Sequence, residues 1–246
     1  MKSATGQPVP MVQRTLELFE AFARADGPMR LGELAEAIHM PVSSCHALVK
    51  TLEGRGYLYV SDKQIFPTRR LLDVSARTVD ASPFLVAVRK MLERIQLATG
   101  ETAVCGKRFG SDVLYVDVVE GSYPVRFKSE IGSLRPLYSS ALGKACLSHL
   151  RPAAYAKLVA ALPMAQITPR TITDRQALSD DIELGRRNGY FRTVGENVPD
   201  VLSLALPIRV EDEAVAIAVA GPIDRMQANQ EQRLAALREA VEAPSR

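Results

Sequence analysis

The sequence has no apolar run approaching the ~20 residues that a helix needs to cross a bilayer, so no membrane partner is expected. It is poor in cysteine. Cys45, Cys105 and Cys146 are an odd, widely spaced set with no Cys-x-x-Cys pair, which argues against a disulfide framework or a structural zinc. Histidine is scarce too. His46 has no second histidine four residues on, and His39 lies seven back, so neither belongs to a helical metal-ligand pair. Ser139 and Ser140 lack a Gly-x-Ser-x-Gly elbow or a Ser-x-x-Lys motif. Gly143-Lys144-Ala145 falls short of a phosphate loop, which needs glycine where Tyr138 stands and Ser or Thr where Ala145 stands. There is no internal repeat and no low-complexity segment. The net charge is only +3, and residues 1–80 hold ten Lys/Arg against nine Asp/Glu. No catalytic residue, metal-ligand set or cofactor is therefore assigned, and bulk charge alone is a weak argument for nucleic acid.

What is present is ordered. The 246 residues are 47% hydrophobic and 24% charged, which suits one large or two small globular domains. Residues 1–10 lack the apolar core of a secretory signal and read as a disordered tail. Residues 11–25 read as a helix with Val12, Leu16, Phe19 and Ala23 on one stripe, widened by Leu18 and Phe22. Asp26-Gly27-Pro28 ends it, and Leu31, Leu34, Ala35 and Ile38 mark a short second helix. Pro41 opens a third, over 42–55, whose apolar stripe is Cys45, Leu48, Val49 and Leu52. Its other face carries Ser43, Ser44, His46, Ala47, Lys50 and Thr51, with no acid before Glu53. Short polar and basic side chains suit a helix pressed into a DNA major groove. Helix, short helix, tight turn, helix is the helix-turn-helix order. Residues 57–60 and 65–67 then read as two strands of a wing, with Lys63 at its tip in reach of a phosphate. Lys50, Arg55, Lys63, Arg69, Arg70 and Arg77 form a modest basic edge, which predicts a shallow salt dependence.

Residues 11–67 thus form the expected DNA-binding domain, and 68–82 a linker helix. A second domain spans 83–246. Its pattern reads as a helix over 84–98, strands over 102–109, 113–119 and 123–128, and helices over 139–150, 153–162 and 174–187. Strands over 190–194, 201–210 and 214–220 and a helix over 225–241 follow. Strands without regular βαβ alternation suggest an α+β domain on an antiparallel sheet. Cys45, Cys146 and the stripe Leu234, Leu237, Val241 are expected in cores. Ser139 and Ser140 are expected to cap a helix, Lys144 to pack the loop, and His149, Glu196 and Asp200 to be solvated.

Four stretches, in order, carry a resemblance that covers nearly the whole chain. They are 31–57 with its Pro-x-Ser-Ser-x-His core, Pro136-Leu137-Tyr138-Ser139-Ser140-Ala141-Leu142-Gly143-Lys144-Ala145, Ile167-Thr168-Pro169-Arg170-Thr171-Ile172, and 216–222. The sequence resembles the IclR family of bacterial transcriptional regulators. The resemblance implies a winged helix-turn-helix, a linker helix and a GAF-like effector domain, working as a dimer or a dimer of dimers; for a bacterial chain without a secretory signal or membrane span the cytoplasm is the expected location. It implies that backbone amides of Ala141 and Leu142 hold an effector carboxylate, facing Thr193, Ser203, Ala218 and Ala220. Two departures stand out. Val42 and Ala47 occupy places where the family often has basic residues, leaving Lys50 as the one base-contacting cation of the helix and Val42 and Ala47 as candidate thymine-methyl contacts. Ala218 and Ala220 stand where relatives often have polar walls, which favours a larger, more apolar carboxylate, such as an aromatic one.

The expected function is a ligand-responsive regulator of a catabolic operon, more in the manner of a repressor, bound to a palindromic operator. The alternatives are a DNA-binding or architectural protein without an effector, and an enzyme with an accessory DNA-binding domain.

Overall fold

The computed structural model describes residues 9–243, so most of the proposed tail lies outside the described residues. The chain is α+β and forms two compact units, residues 1–81 and 82–246.

The first unit runs α1 (Pro10–Arg24), β1 (Met29–Arg30), α2 (Leu31–Ala37), α3 (Val42–Gly54), β2 (Leu58–Ser61), β3 (Gln64–Pro67) and α4 (Arg70–Asp80). Its core gathers Leu18, Leu34, Ile38, Cys45, Leu48, Val49, Leu52, Leu58 and Ile65. The turn between α2 and α3 is a Schellman closure. Met40 N–H donates to Ala35 O and His39 N–H to Glu36 O, with His39 left-handed at φ 49°. The wing strands pair Leu58 with Pro67 through Ser61 with Gln64 around the two-residue turn Asp62-Lys63. The two-residue strand β1 pairs with β3 and has no alternation long enough to be read from sequence. In α1 the expected stripe is corrected. Leu18 and Ala21 are buried, Phe19 and Phe22 half-buried, and Val12, Leu16 and Ala23 exposed. The helix is apolar on more than one face, and this unit covers only part of that surface.

The second unit is a six-stranded antiparallel sheet of order β6-β5-β4-β9-β8-β7. The strands are β4 (Thr102–Phe109), β5 (Asp112–Val119), β6 (Leu134–Pro136), β7 (Phe191–Val194), β8 (Val201–Val210) and β9 (Glu213–Pro222). The helices are α5 (Pro83–Thr99), α6 (Ala141–Ser148), α7 (Pro152–Ala161), α8 (Arg175–Asn188), α9 (Ile223–Ala228) and α10 (Gln230–Glu242). Alternation along the strands sorts the two faces. Leu202, Leu204, Leu206, Ile217 and Val219 pack with α5 and α10. Val104, Ala205, Ala216, Ala218 and Ala220 face α6 instead. A Cβ on Gly143 would lie 2.4 Å from the Leu137 carbonyl oxygen, so α6 sits hard against the segment before it.

Two expected elements change. Residues 123–128 form no strand. Arg126 binds Glu120 (2.9 Å) and the carbonyls of Tyr123 and Pro124, curling the segment, and the edge strand is supplied by β6. The single terminal helix is two, interrupted at Asn229 (φ −131°, ψ 33°). Leu237 is buried, and Leu234 and Val241 pack around that same core.

Candidate functional site

Helix α3 turns its apolar stripe inward and leaves the opposite face open. Val42, Ser43, His46, Ala47, Lys50 and Thr51 are exposed and Ser44 is half-buried. Thr51 Oγ1 donates to Ala47 O (2.9 Å), which leaves its methyl free. Lys50 Nζ lies 2.7 Å from Glu53 Oε2. Such an exposed i,i+3 pair is worth only about 0.5 kcal/mol, so a phosphate or a base edge can take the ammonium over. Lys63 is exposed at the wing tip, left-handed at φ 63°. The basic edge is narrower than a count of arginines suggests. Arg77 pairs with Asp73 (3.2 Å), and the Arg70 guanidinium lies over the Tyr57 ring, 5.3 Å from its centre.

In the second unit, the six residues singled out for an effector meet at one cavity. Ala141, Leu142, Thr193, Ser203, Ala218 and Ala220 all line it. The sheet register explains the convergence. Thr193 pairs with Ser203 and Ser203 with Ala220, one row across three strands, while Ala218 pairs with Val104 and Ala205 in the next row of that face. The free volume is about 30 Å³, room for a few waters, so a larger ligand requires the lining to give way. As the first two amides of α6, Ala141 and Leu142 have no intrahelical acceptor, and they sit at the positive end of the helix. Ser140 caps the next turn, its Oγ accepting from Gly143 N–H (3.1 Å) and donating to Pro136 O (3.0 Å).

Sequence reasoning missed the rest of the lining: Val104, Tyr115, Phe127, Asn197, Val198 and Val201. Burial pushes the Tyr115 hydroxyl up to about 12, so the ring lines the cavity as a neutral phenol. Phe127 arrives from the irregular loop after β5. Thr102 Oγ1 donates to Phe127 O (2.5 Å) and accepts from Gly121 N–H (3.0 Å). Next to it the buried Glu101 carboxylate takes two bonds from Arg225 (2.6 and 2.8 Å) and one from Arg233 (3.0 Å).

Two expectations of solvated residues are overturned. Glu196 is buried and receives the ammonium of the fully buried Lys144 at 2.7 and 3.0 Å, while Asp181 of α8 takes it at 2.7 Å. Burial pushes the Glu196 carboxyl above its ordinary value, and the Lys144 charge pulls against that shift. His149 is half-buried, with Nε2 3.0 Å from Val215 O. Asp200 is exposed. The Ile167–Thr171 stretch braces the same loop as Glu196. Thr168 Oγ1 donates to Gly195 O (2.6 Å) and Thr171 Oγ1 to Glu196 O (2.7 Å). Ser139 donates to Asn197 Oδ1 (3.2 Å), an arrangement with no histidine base. Among the described residues no His, Cys, Asp or Glu group could hold a metal, and no helix is long and apolar enough to cross a membrane.

Comparison with known proteins places the chain in a family. A profile for the IclR helix-turn-helix domain matches residues 11–62, and one for the bacterial transcriptional regulator IclR C-terminal region matches residues 76–246. The regulator BhcR of Paracoccus denitrificans is 30% identical over 94% of this chain and 82% of its own. The repressor AllR of Escherichia coli is 25% identical over 87% and 81%. In fold, the Thermotoga maritima IclR structure superposes with a TM-score of 0.79 at 23% identity, covering 96% of this chain and 97% of that one. An IclR homolog from Microbacterium hydrocarbonoxydans, solved with 4-hydroxybenzoate, gives 0.69 at 20% identity over 95% and 100%. The curated relatives named here are regulators of transcription, not enzymes. With profiles that match residues 11–62 and 76–246, the chain belongs to the IclR family of transcriptional regulators.

Proposed function

We propose that the protein is a cytoplasmic, effector-controlled repressor of a catabolic operon, and that its effector is a small organic carboxylate with a substantial apolar body. The supporting observation is the cavity: two helix-start amides without intrahelical acceptors at one pole, and a wall of Val104, Phe127, Val198, Val201, Ala218 and Ala220 around it. Helix N-termini favour anions, and the alanines leave room for apolar bulk. The homolog bound to 4-hydroxybenzoate and the repressor AllR are consistent with both parts of the reading. Helix α3 reads the major groove of a palindromic operator through Ser43, Ser44, His46, Lys50 and Thr51, with Val42 and Ala47 against thymine methyls and Lys63 on a phosphate.

Two copies bind together, as a dimer or a dimer of dimers. On the first unit, Val12 and Leu16 of α1 and Leu71, Leu72 and Val74 of α4 are exposed apolar residues that a second copy would cover. Ligand acts by binding one spacing of the paired α3 helices better than another, transmitted through α4. The test is a thermal-shift screen of small carboxylates, followed by operator binding with and without the hit. Lys50→Ala is expected to weaken DNA binding and leave ligand affinity unchanged. Failure of every carboxylate to raise the melting temperature, or equal loss of both affinities in Lys50→Ala, overturns the reading.

A further inference from the structure

Among the polar residues in the cavity wall beyond the six assigned to the effector, Asn197 stands apart from Tyr115 on β5 and the α6 cap Ser140 in lying on a loop. Asn197 lies in the loop between β7 and β8 and lines the cavity. Its Oδ1 accepts from the hydroxyl of Ser139, which is fully buried just before α6. With Oδ1 turned to Ser139, the group Asn197 has to donate to a ligand is Nδ2.

The neighbouring residue is held unusually firmly. Glu196 receives both short bonds from Lys144, a side chain with no solvent exposure, projecting from α6. The same helix carries Ala141 and Leu142, which line the cavity. One buried ammonium therefore couples the amide-bearing helix to the loop that carries Asn197. Its second carboxylate, Asp181, comes from α8, is half-exposed and does not belong to that loop. A well-packed apolar pair would serve stability as well as a buried ion pair does, so stability alone does not account for this choice.

We propose that Asn197 is a specificity-determining contact for a second oxygen function on the effector, and that Lys144 is its positioning residue, acting through Glu196. The inference rests on the effector reading above and adds a substrate class to it: a carboxylate carrying a separate hydrogen-bond acceptor, such as a hydroxyl or carbonyl oxygen. The carboxylate goes to the α6 amides and the second oxygen to Asn197 Nδ2. An effector lacking that oxygen strands the donor away from water, which is costly.

The test uses the full chain and matched probes differing by one oxygen: benzoate and 4-hydroxybenzoate, phenylacetate and 4-hydroxyphenylacetate, butyrate and 3-hydroxybutyrate. Binding is measured by calorimetry. The wild-type protein is expected to prefer the oxygenated member of at least one pair by about tenfold. Asn197→Leu is expected to abolish that preference while the oxygen-free partner binds as well or better. The double variant Lys144→Met/Glu196→Met leaves no unpaired charge at these two positions, and it should also lose the preference while keeping affinity for the oxygen-free partner. Asp181→Asn should keep it, since Asp181 does not hold the Asn197 loop. A general structural defect would instead lower both affinities together. An undiminished preference in Asn197→Leu, or equal effects of the double variant and Asp181→Asn, overturns the inference and leaves the effector reading standing. Binding of both members without preference overturns the inference in the same way. Failure of the wild-type protein to bind any of the probes overturns both.

Discussion

Lys63 should be a residue whose conformation costs stability and whose charge serves DNA binding. Asp62 and Lys63 are both left-handed, at φ 49° and 63°, in a two-residue turn closed by the Ser61–Gln64 pair. This is type I′ chemistry, where the second central position favours glycine. A non-glycine residue there costs about 1 kcal/mol or more. Glycine removes that cost but adds freedom to the unfolded chain, which returns roughly 0.4–1 kcal/mol. Lys63→Gly should therefore stabilise the first unit by about 0.5 kcal/mol, raising its melting temperature by about 3 °C. Under the proposed reading it also removes one phosphate contact per protomer. Each lost contact lowers the slope of log K against log salt by about 0.9, so a complex with two wings loses about 1.8. The measurement is fluorescence anisotropy over a salt series, on a duplex selected in vitro for binding, alongside thermal melting. An unchanged slope refutes the phosphate contact. A lower melting temperature refutes the backbone argument.

Three further outcomes follow from the second unit. Gly143→Ala should destabilise it by about 2 kcal/mol or more, because the new methyl meets the Leu137 backbone at 2.4 Å; a melting curve superposable on wild type would show that α6 can shift. Burial pushes Cys105 and Cys146 up to about 12, which leaves about one thiol in ten thousand ionised at about pH 8. Neither should react with Ellman's reagent until the protein is denatured, and fast labelling of the native chain would contradict that burial. Lys144→Met should cost about 3 kcal/mol near neutrality by leaving Glu196 buried and unpaired. The sign of its pH dependence is fixed. Glu196 already titrates above its ordinary 4.5, and loss of the ammonium raises it further. Between the unfolded and folded values the native state holds a proton that the unfolded chain has released, so stability falls as pH rises through that window. The deficit should be smaller at about pH 5 than at about pH 8 in denaturant titrations; equal deficits would mean the carboxyl has found another partner.

The parts of this molecule that could be read from sequence are those where one periodic stripe meets one partner. The Cys45, Leu48, Val49, Leu52 stripe of α3 is buried as its spacing requires, and its polar face is open. Helix α1 shows where that logic stops. Its apolar residues exceed one stripe, and periodicity cannot say which face the protomer buries and which it leaves exposed. The cavity shows a different limit. Thr193, Ser203, Ala218 and Ala220 came together through resemblance, and only the β7-β8-β9 register explains why residues so far apart in the chain share a row. Asn197 and Phe127 lie in irregular loops, where neither period nor composition points inward. Glu196 is the sharpest case. In the sequence it is an acid among loop residues, for which solvation is the sound expectation. A lysine buried on α6, 52 positions earlier, reverses that expectation. The hint was the Gly143-Lys144-Ala145 triplet: a lysine between two residues small enough to pack against backbone and sheet is itself placed inside, and a buried ammonium requires a carboxylate. Which carboxylate answers it is a property of the fold, so a long-range ion pair marks the point where reading the chain gives way to seeing it folded.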